Sequence, residues 1–240
     1  MGQSNVSLTN ALANVRSMLD EPNAQFWSNA ELTLWLNEGC TDVARQAEIL
    51  RQEVAIPVTA DTQSYPAPSD VYRIYRVEFV PTGAILTYPL AFRGYQGMDQ
   101  YWGNLQSLPS AFPSLYTLWF SPVGADASPA AANTQMMIKT YPVPAQNGNL
   151  NVFYYRQVVP AAAGSDTLDT LPGWEDIVYD YVVYKALRKD ADPRWKDQQG
   201  IYDEKLAVMI DTTRSWTDQS DYFSTGMVGG PPAWLVSGEW

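Results

Sequence analysis

The pattern of apolar positions changes twice along the chain. In the first fifty residues, apolar side chains recur every three or four positions, which predicts two amphipathic helices. From residue 53 to 169, β-branched and aromatic residues dominate, and proline or glycine interrupts them every few positions, as is typical of short strands. A helical period returns after Pro172 and continues to about residue 215. The order is therefore helix pair, β region, helix pair.

The second helix has the sharpest start signal. Ser28 and Glu31 have the spacing of a capping box, and Trp27 with Leu32 has the spacing of the accompanying hydrophobic staple. The apolar face that follows predicts a helix to about residue 51.

Two other helices have simpler start signals. Ser7 is the predicted N-cap of the first helix. Asp192 is the predicted cap of the last helix, with Pro193 at its first position, where the missing N–H costs no hydrogen bond.

Six strands are predicted in the β region. They lie at 54–58, 71–80, 85–88, 115–120, 136–141 and 150–156. The last of these alternates cleanly between apolar and polar positions, whereas the second does not, so both faces of the second are expected to be covered. Short strands separated by turn residues predict an antiparallel sandwich or barrel.

The predicted fold is α+β with a discontinuous helical domain. Neither helix pair can bury its apolar stripe alone, so the two pairs are expected to pack together. We expect a four-helix bundle formed by residues 1–51 and 172–215. An antiparallel β-sandwich or barrel domain is inserted at 52–171, and an extended C-terminal tail follows at 216–240.

Composition favours a protein with large contact surfaces and disfavours a nucleic-acid binder. Charged residues make up 17% of the chain, below the roughly 25% usual for soluble domains. The net charge is −11, so a cationic stripe for phosphates is not expected. The N-terminus lacks a secretory signal and no apolar run is long enough to span a bilayer, so we expect folding in a cytoplasm without a membrane partner.

The residue inventory argues against an enzyme. The chain has no histidine and one cysteine, Cys40, which excludes histidine-based triads and histidine or multi-thiolate metal sites. No glycine-rich loop has a nucleotide-binding pattern, so no cofactor or metal is expected. Carboxylates that could work in pairs are better explained as turn residues and helix ends; they are Asp99, Asp166, Asp169, Asp190 and Asp192.

The C-terminal segment carries large aromatic residues among prolines and glycines. Such a segment has little intrinsic structure, and it is expected to become ordered on a partner rather than to fold back on its own domain, although both remain open. The expected partner-binding residues are Pro231, Pro232, Trp234, Leu235 and Trp240.

Five segments, in order, resemble the head-to-tail connector adaptors of tailed bacteriophages, which dock on the portal. The first is FWSNAEL with LNE, at 26–38, and the second is SYPAPSDVYRI, at 64–74. The third and fourth are IKTYPVP, at 138–144, and VFYYR, at 152–156. The fifth begins with LPGW and ends with KDAD, at 171–192.

The resemblance implies a non-enzymatic structural protein of the virion neck. It implies a homo-oligomeric ring of twelve subunits, with the portal protein on one face and a tail, nozzle or head-completion protein on the other. Genomic DNA would pass through the lumen without sequence-specific binding. The role of the C-terminal tail is inferred from its composition instead, and we expect it to dock on the portal or on a neighbouring subunit.

Two other functions remain possible on the sequence alone. One is a receptor- or carbohydrate-binding tail protein, and the other is a phage-associated glycan hydrolase. Helices on both sides of the β region disfavour the first, and the missing catalytic residues disfavour the second.

Overall fold

Helices lie at both ends of the described chain and strands lie between them. A computed structural model describes residues 6–94, 112–122 and 134–228. Over these residues it contains four helices and a seven-stranded sheet, which confirms the α+β class. The described residues fall into two compact units: a helical unit, before residue 50 and after residue 157, and a β unit between them.

The four helices begin close to their predicted start signals. They are α1 (Leu8–Met18), α2 (Asn29–Ala47), α3 (Glu175–Lys189) and α4 (Trp195–Val228). The Ser7 hydroxyl accepts a hydrogen bond from the backbone N–H of Asn10 at 3.3 Å. The Ser28 hydroxyl accepts one from that of Glu31 at 3.2 Å. The N-cap predictions for Ser7 and Ser28 are thus confirmed, whereas α4 begins at Trp195, three residues after the predicted cap Asp192.

Two helix ends differ from the prediction. Helix α2 ends at Ala47 rather than near residue 51, because Glu48 takes a left-handed conformation with φ of 52° and strand pairing begins at Arg51. Helix α4 continues through 216–228, which the sequence analysis assigned to an extended tail. No proline lies between residues 194 and 230, so nothing in the backbone chemistry stops the helix there.

Helix α3 is the centre of the helical unit. It contacts α1, α2 and α4, and its buried side chains include Ile177, Val178 and Val182. Its approach to α2 depends on Gly39, since a Cβ there would lie 3.0 Å from the Tyr181 ring and 3.1 Å from Val178. The arrangement of these helices as a four-helix bundle stays a prediction.

Residues 158–171 belong to the helical unit rather than to the inserted β domain expected at 52–171. The backbone N–H of Leu8 donates to the carbonyl of Asp166 at 2.7 Å, and the N–H of Leu168 donates to the carbonyl of Val6 at 3.0 Å. These bonds tie the segment to the start of α1.

The β unit contains a single sheet in the order β1-β7-β3-β4-β5-β6-β2. Its strands are β1 (Arg51–Val58), β2 (Ser64–Pro66), β3 (Val71–Pro81), β4 (Tyr88–Phe92), β5 (Leu115–Pro122), β6 (Thr134–Tyr141) and β7 (Gly148–Arg156). The fully buried core includes Phe79, Ile138, Leu150 and Val152.

The sheet is nearly closed and mixed, so the expectation of a purely antiparallel arrangement is wrong at one strand pair. Strands β4 and β5 run parallel, with Ala91 opposite Leu115 and Phe92 opposite Tyr116. Parallel neighbours need a crossover connection of a dozen or more residues, and the chain between β4 and β5 has that length. The sequence pattern does not determine the direction of β4 or of β5.

One predicted strand was wrong and one strand was missed. Of the predicted strand at 85–88, only Tyr88 is in a strand, as the first residue of β4; Ile85 is 99% and Leu86 68% exposed. Strand β2 was missed because it is three residues long and ends in proline. The irregular pattern of 71–80 has a cause in β3, which carries two register shifts against β7.

Candidate interaction surfaces

Arginines and aromatic rings form a cluster on one face of β1, β7 and β3, where Arg73, Tyr75 and Arg76 are exposed and Tyr155 is buried beneath guanidinium groups. We call it the arginine–aromatic face; its members are Arg51, Arg73, Tyr75, Arg76, Phe153 and Tyr155. Register places them on one side, because paired residues of neighbouring strands point the same way. Arg51 and Arg73 lie opposite Tyr155 on its two sides, and Arg76 lies opposite Phe153.

The rings of this face are stacked under the guanidinium groups. Arg73 lies 5.1 Å and Arg51 5.7 Å from the centre of the Tyr155 ring, and Arg76 lies 5.7 Å from that of Phe153. Tyr75 lies 4.9 Å from Tyr155, between centroids, and is 43% exposed. Cation–π contacts restrain the arginine side chains, so less conformational entropy is lost when a partner binds them.

Two carboxylates moderate the positive charge. Glu78 is buried and forms an ion pair with Arg76. Glu53 lies opposite Phe153 on the same face. The pKa of Tyr75 is raised, first by burial, while the positive charge of Arg51 acts to lower it. The face is therefore a mixed polar and aromatic surface with a small positive excess, the composition that recurs at protein interfaces.

The helical unit has a second patterned surface on α4. Exposed residues follow one another at spacings of four and three, which places them on one side of the helix. We call this the acidic–apolar stripe; its members are Asp197, Ile201, Glu204, Val208 and Asp211. Ile201 is 44% and Val208 55% exposed. The opposite side of α4 is buried through Tyr202, Leu206 and Met209.

Lysine does not neutralise this stripe from within the helix. Lys205 donates to the carboxylates of Asp176 and Asp180, at 2.8 Å and 2.6 Å, and so compensates acids of α3. Asp180 is buried, and Gln198 also donates to it, at 2.8 Å. Lys205 is therefore engaged by acids of α3 rather than by the stripe.

The two units differ sharply in charge. Residues 50–157 contain six basic and six acidic residues, so the β unit is formally neutral. Residues 1–49 and 158–240 contain nine basic and twenty acidic residues and carry the whole net charge of −11. A basic patch on the β unit and an acidic helical unit therefore occur in one chain.

A groove of about 1170 Å³ opens between α1, α2 and the loop at 160–164. Asn37 of α2 fixes the loop wall through two hydrogen bonds: it donates to the carbonyl of Ala161 at 3.0 Å and accepts from the N–H of Ala161 at 2.9 Å. Leu34 stands beside the groove, 56% exposed. The groove is thus a preformed feature of the helical unit.

The carboxylates that might have formed a catalytic pair hold backbone instead. Asp166 accepts hydrogen bonds from the N–H groups of Ala162 and Ala163, and these bonds lower its pKa. Asp169 accepts from the N–H of Val159 at 2.8 Å. The interpretation of these acids as loop residues is supported by these contacts.

The acids near the α3–α4 connection also have structural partners. Asp192 accepts from the backbone N–H and the guanidinium of Arg194, which lower its pKa. Asp190 is the C-cap of α3. Asp99 lies outside the described residues.

Cys40 is buried on α2. Burial, and then the negative charge of Asp169, raise the pKa of its thiol to about 12. A thiol with so high a pKa is inert at neutral pH.

The described residues offer no metal-binding cluster of histidine, cysteine and carboxylate groups. Within the same ranges, no helix combines the length and the apolar character needed to cross a membrane. The tail residues predicted to bind a partner (Pro231, Pro232, Trp234, Leu235 and Trp240) lie outside the described residues.

The family model of the SU10 adaptor proteins matches residues 7–228. The chain belongs to the SU10 adaptor protein family. This confirms the resemblance to phage head-to-tail adaptors that the five sequence segments indicated. The match covers α1 to α4 and the whole β unit, so both units belong to the adaptor fold.

The chain also has a weak similarity to a chain in a solved structure. A chain in the neck of an empty GTA particle, computed with C6 symmetry, is 12% identical, with a TM-score of 0.26; the match covers 78% of this chain and 84% of that one. No curated protein matches the chain.

Sequence reasoning missed both patterned surfaces. The arginines of β3 are visible in the string VYRIYRVEF, but their common side depends on two register shifts that the sequence does not reveal. The stripe on α4 could have been found, because its members follow one another at spacings of four and three on the side opposite the predicted buried residues.

Proposed function

We propose that this adaptor is a structural, non-enzymatic component of the virion neck of a tailed phage. It forms a ring of twelve copies beneath the portal and joins the portal to a tail, nozzle or head-completion protein. The observation that carries the proposal is the family match over residues 7–228. The exposed aromatic and arginine residues of the β unit support it, because such side chains dominate the binding energy of interfaces.

The genome would pass through the lumen of this ring. Each subunit carries a net charge of −11, and acids that line a channel repel phosphates and keep DNA mobile. We therefore propose passage without sequence-specific binding. Assembly takes place in the host cytoplasm, before the neck is complete.

The C-terminal segment 229–240 serves as the clamp in this proposal. Pro231 and Pro232 favour an extended, polyproline-like backbone, which reduces the entropy lost on docking. Trp234 and Leu235 enter an apolar groove on the portal or on a neighbouring subunit, and Trp240 anchors the end. One aromatic anchor contributes about 2 kcal/mol or more, and the tails of a ring act together.

Truncation after Thr225 tests the clamp. Docking on a partner predicts an unchanged melting temperature of the free subunit and a loss of portal binding. A finer version compares Trp234→Ala with Trp240→Ala, both expected to weaken portal binding, against Ser237→Ala as a control in the same segment. Normal neck assembly by the truncated chain would exclude the docking role, whatever the stability of the monomer.

The alternative functions predict different assemblies. A receptor- or carbohydrate-binding tail protein would form a trimer, and a glycan hydrolase would be active as a monomer. The structure offers the hydrolase little, because Asp166 and Asp169 are engaged by backbone N–H groups. Light scattering with and without portal, together with a glycan-hydrolysis assay, separates the three.

A further inference from the structure

The arginine–aromatic face and the acidic–apolar stripe share a chemical pattern with opposite charge. On the face, arginines flank exposed rings such as Tyr75; on the stripe, carboxylates flank Ile201 and Val208. Each surface therefore offers apolar area bordered by charge of one predominant sign. The pairing of such surfaces buries apolar area and brings opposite charges together at its edges.

The spacing of the charges also corresponds. Asp197, Glu204 and Asp211 are seven residues apart along α4, which at 1.5 Å per residue separates them by about 10 Å. Arg51 and Arg73 lie on strands separated by β7, and two interstrand spacings amount to about 10 Å. Two neighbouring arginines can therefore meet two successive carboxylates of the helix.

The distribution of charge favours another copy of this chain as the partner of the arginine–aromatic face. The helical unit carries the entire net charge of −11, whereas the β unit is neutral. Duplex DNA fits the face less well, since it presents about one negative charge per 1.7 Å of axis and Glu53 and Glu78 interrupt the arginines. The stripe presents carboxylates at intervals, with apolar side chains between them.

We propose that the arginine–aromatic face of one copy binds the acidic–apolar stripe on α4 of the next copy. The contact joins two different surfaces and is therefore heterologous. Repetition of a heterologous contact gives a ring when the rotation between successive copies closes after a full turn, and the proposed ring requires such a rotation. The inference rests on the proposed ring function and assigns the surfaces that would form the subunit contact.

Disulfide trapping tests the contact with the full chain. The native Cys40 is buried and does not compete. A chain with both Arg73→Cys and Glu204→Cys carries one cysteine on each of the two surfaces, so oxidation is expected to give a ladder of covalent oligomers. Equal mixing of the two single variants should give dimers and no higher species, because each chain then has one half.

Asp203 supplies the matched control. It is an exposed acid next to Glu204 but lies about 100° around the helix from it, away from the stripe. The chain with Arg73→Cys and Asp203→Cys should cross-link at least tenfold more slowly. Equal rates for the two double variants, alone and in the presence of portal, would overturn the proposal.

Charge reversal gives an independent arm. The cross-link is formed here between Tyr75→Cys and Val208→Cys, which leaves the charged residues free to be changed. Its rate should fall at least tenfold when the face carries Arg51→Glu with Arg73→Glu, and equally when the stripe carries Glu204→Arg with Asp211→Arg. The combination of both reversals should restore the rate to within about threefold of the starting value. Circular dichroism checks that each variant is folded. Failure of the combined variant to recover, with all variants folded, would contradict the pairing.

Two further outcomes separate this contact from the proposed function. A ladder without portal binding would leave the contact standing and refute the adaptor role. A ring on the portal with no ladder would leave the adaptor role standing and refute this contact. If duplex DNA bound the wild-type chain and Arg51→Glu with Arg73→Glu abolished that binding but not the cross-links, the face would be assigned to nucleic acid instead.

Discussion

Trp35→Ala is expected to destabilise the helical unit strongly. Trp35 lies on α2 and is 9% exposed. Its ring meets that of Trp27 edge-on at 5.5 Å, and the Lys189 ammonium lies 5.8 Å from its centre. Removal of a buried tryptophan costs about 3–5 kcal/mol, and loss of the aromatic pair is part of that cost. At about 2–4 °C per kcal/mol, the melting temperature should fall by about 6–20 °C.

The neighbouring Leu34 provides the control for this prediction. It lies on the same helix and is 56% exposed, so Leu34→Ala removes a large apolar side chain without opening a cavity. We expect a change within about 0.5 kcal/mol for it. Urea denaturation followed by circular dichroism at the helical band measures both variants. If Trp35→Ala cost no more than Leu34→Ala, the packing of α2 described above would be refuted.

Four further predictions concern single residues and the oligomeric state of the free subunit. Gly148→Ala should destabilise the β unit by about 1–3 kcal/mol, because the added Cβ would lie 2.4 Å from the Val80 carbonyl oxygen. Gly200→Ala, whose Cβ would meet nothing within 4 Å, should stabilise α4 by about 0.5–1 kcal/mol. Equal effects of the two variants in denaturant titrations would contradict this expectation. Tyr202→Phe removes a hydroxyl that donates to the Asp42 carboxylate and should cost about 1.5–3 kcal/mol in the same assay; a neutral effect would mean that the bond adds nothing. The folded-state pKa of Asp166 is lowered, so its contribution to the free energy of unfolding is present above the unfolded value of 3.8 and is lost as the pH falls through the folded value. The fall of stability with decreasing pH should therefore be shallower for Asp166→Asn than for the unmodified chain. An identical fall in both chains would refute the role of the backbone hydrogen bonds to Asp166. The isolated subunit should be mainly monomeric, since like net charges repel, and closed rings at low micromolar concentration and low salt in sedimentation would disprove that.

Local signals predicted the helices well and the sheet less well. Ser7 and Ser28 act as caps through hydrogen bonds to residues three positions away, which is information that the sequence contains locally. The parallel pairing of Ala91 with Leu115 depends on the path of a long connection, which no local pattern encodes. The β2 strand at Ser64–Pro66 exists because β6 pairs with it. The presence of a strand was therefore predictable where apolar and polar residues alternate over a long segment. The relative direction of neighbouring strands was not predictable.

The surfaces show the same limit. The predicted contact residues in the tail were chosen by composition, because aromatic side chains beside proline and glycine are unusual in a core. The arginine–aromatic face needed the register of three strands, which brings Arg51 and Arg73 to opposite sides of Tyr155 although they are far apart in sequence. The stripe on α4 lies on a single helix, and its regular spacing is visible in the sequence. Tertiary pairing, rather than residue type, determines the arginine–aromatic face.

Ring formation on the portal is the central claim of the proposed function. Multi-angle light scattering of purified portal, mixed with an excess of the full chain and separated by size, measures the mass that is added. We expect an added mass of twelve subunits of 26.8 kDa each on one portal ring. A portal peak of unchanged mass, with the chain eluting as a monomer or as a trimer, would contradict the proposed ring.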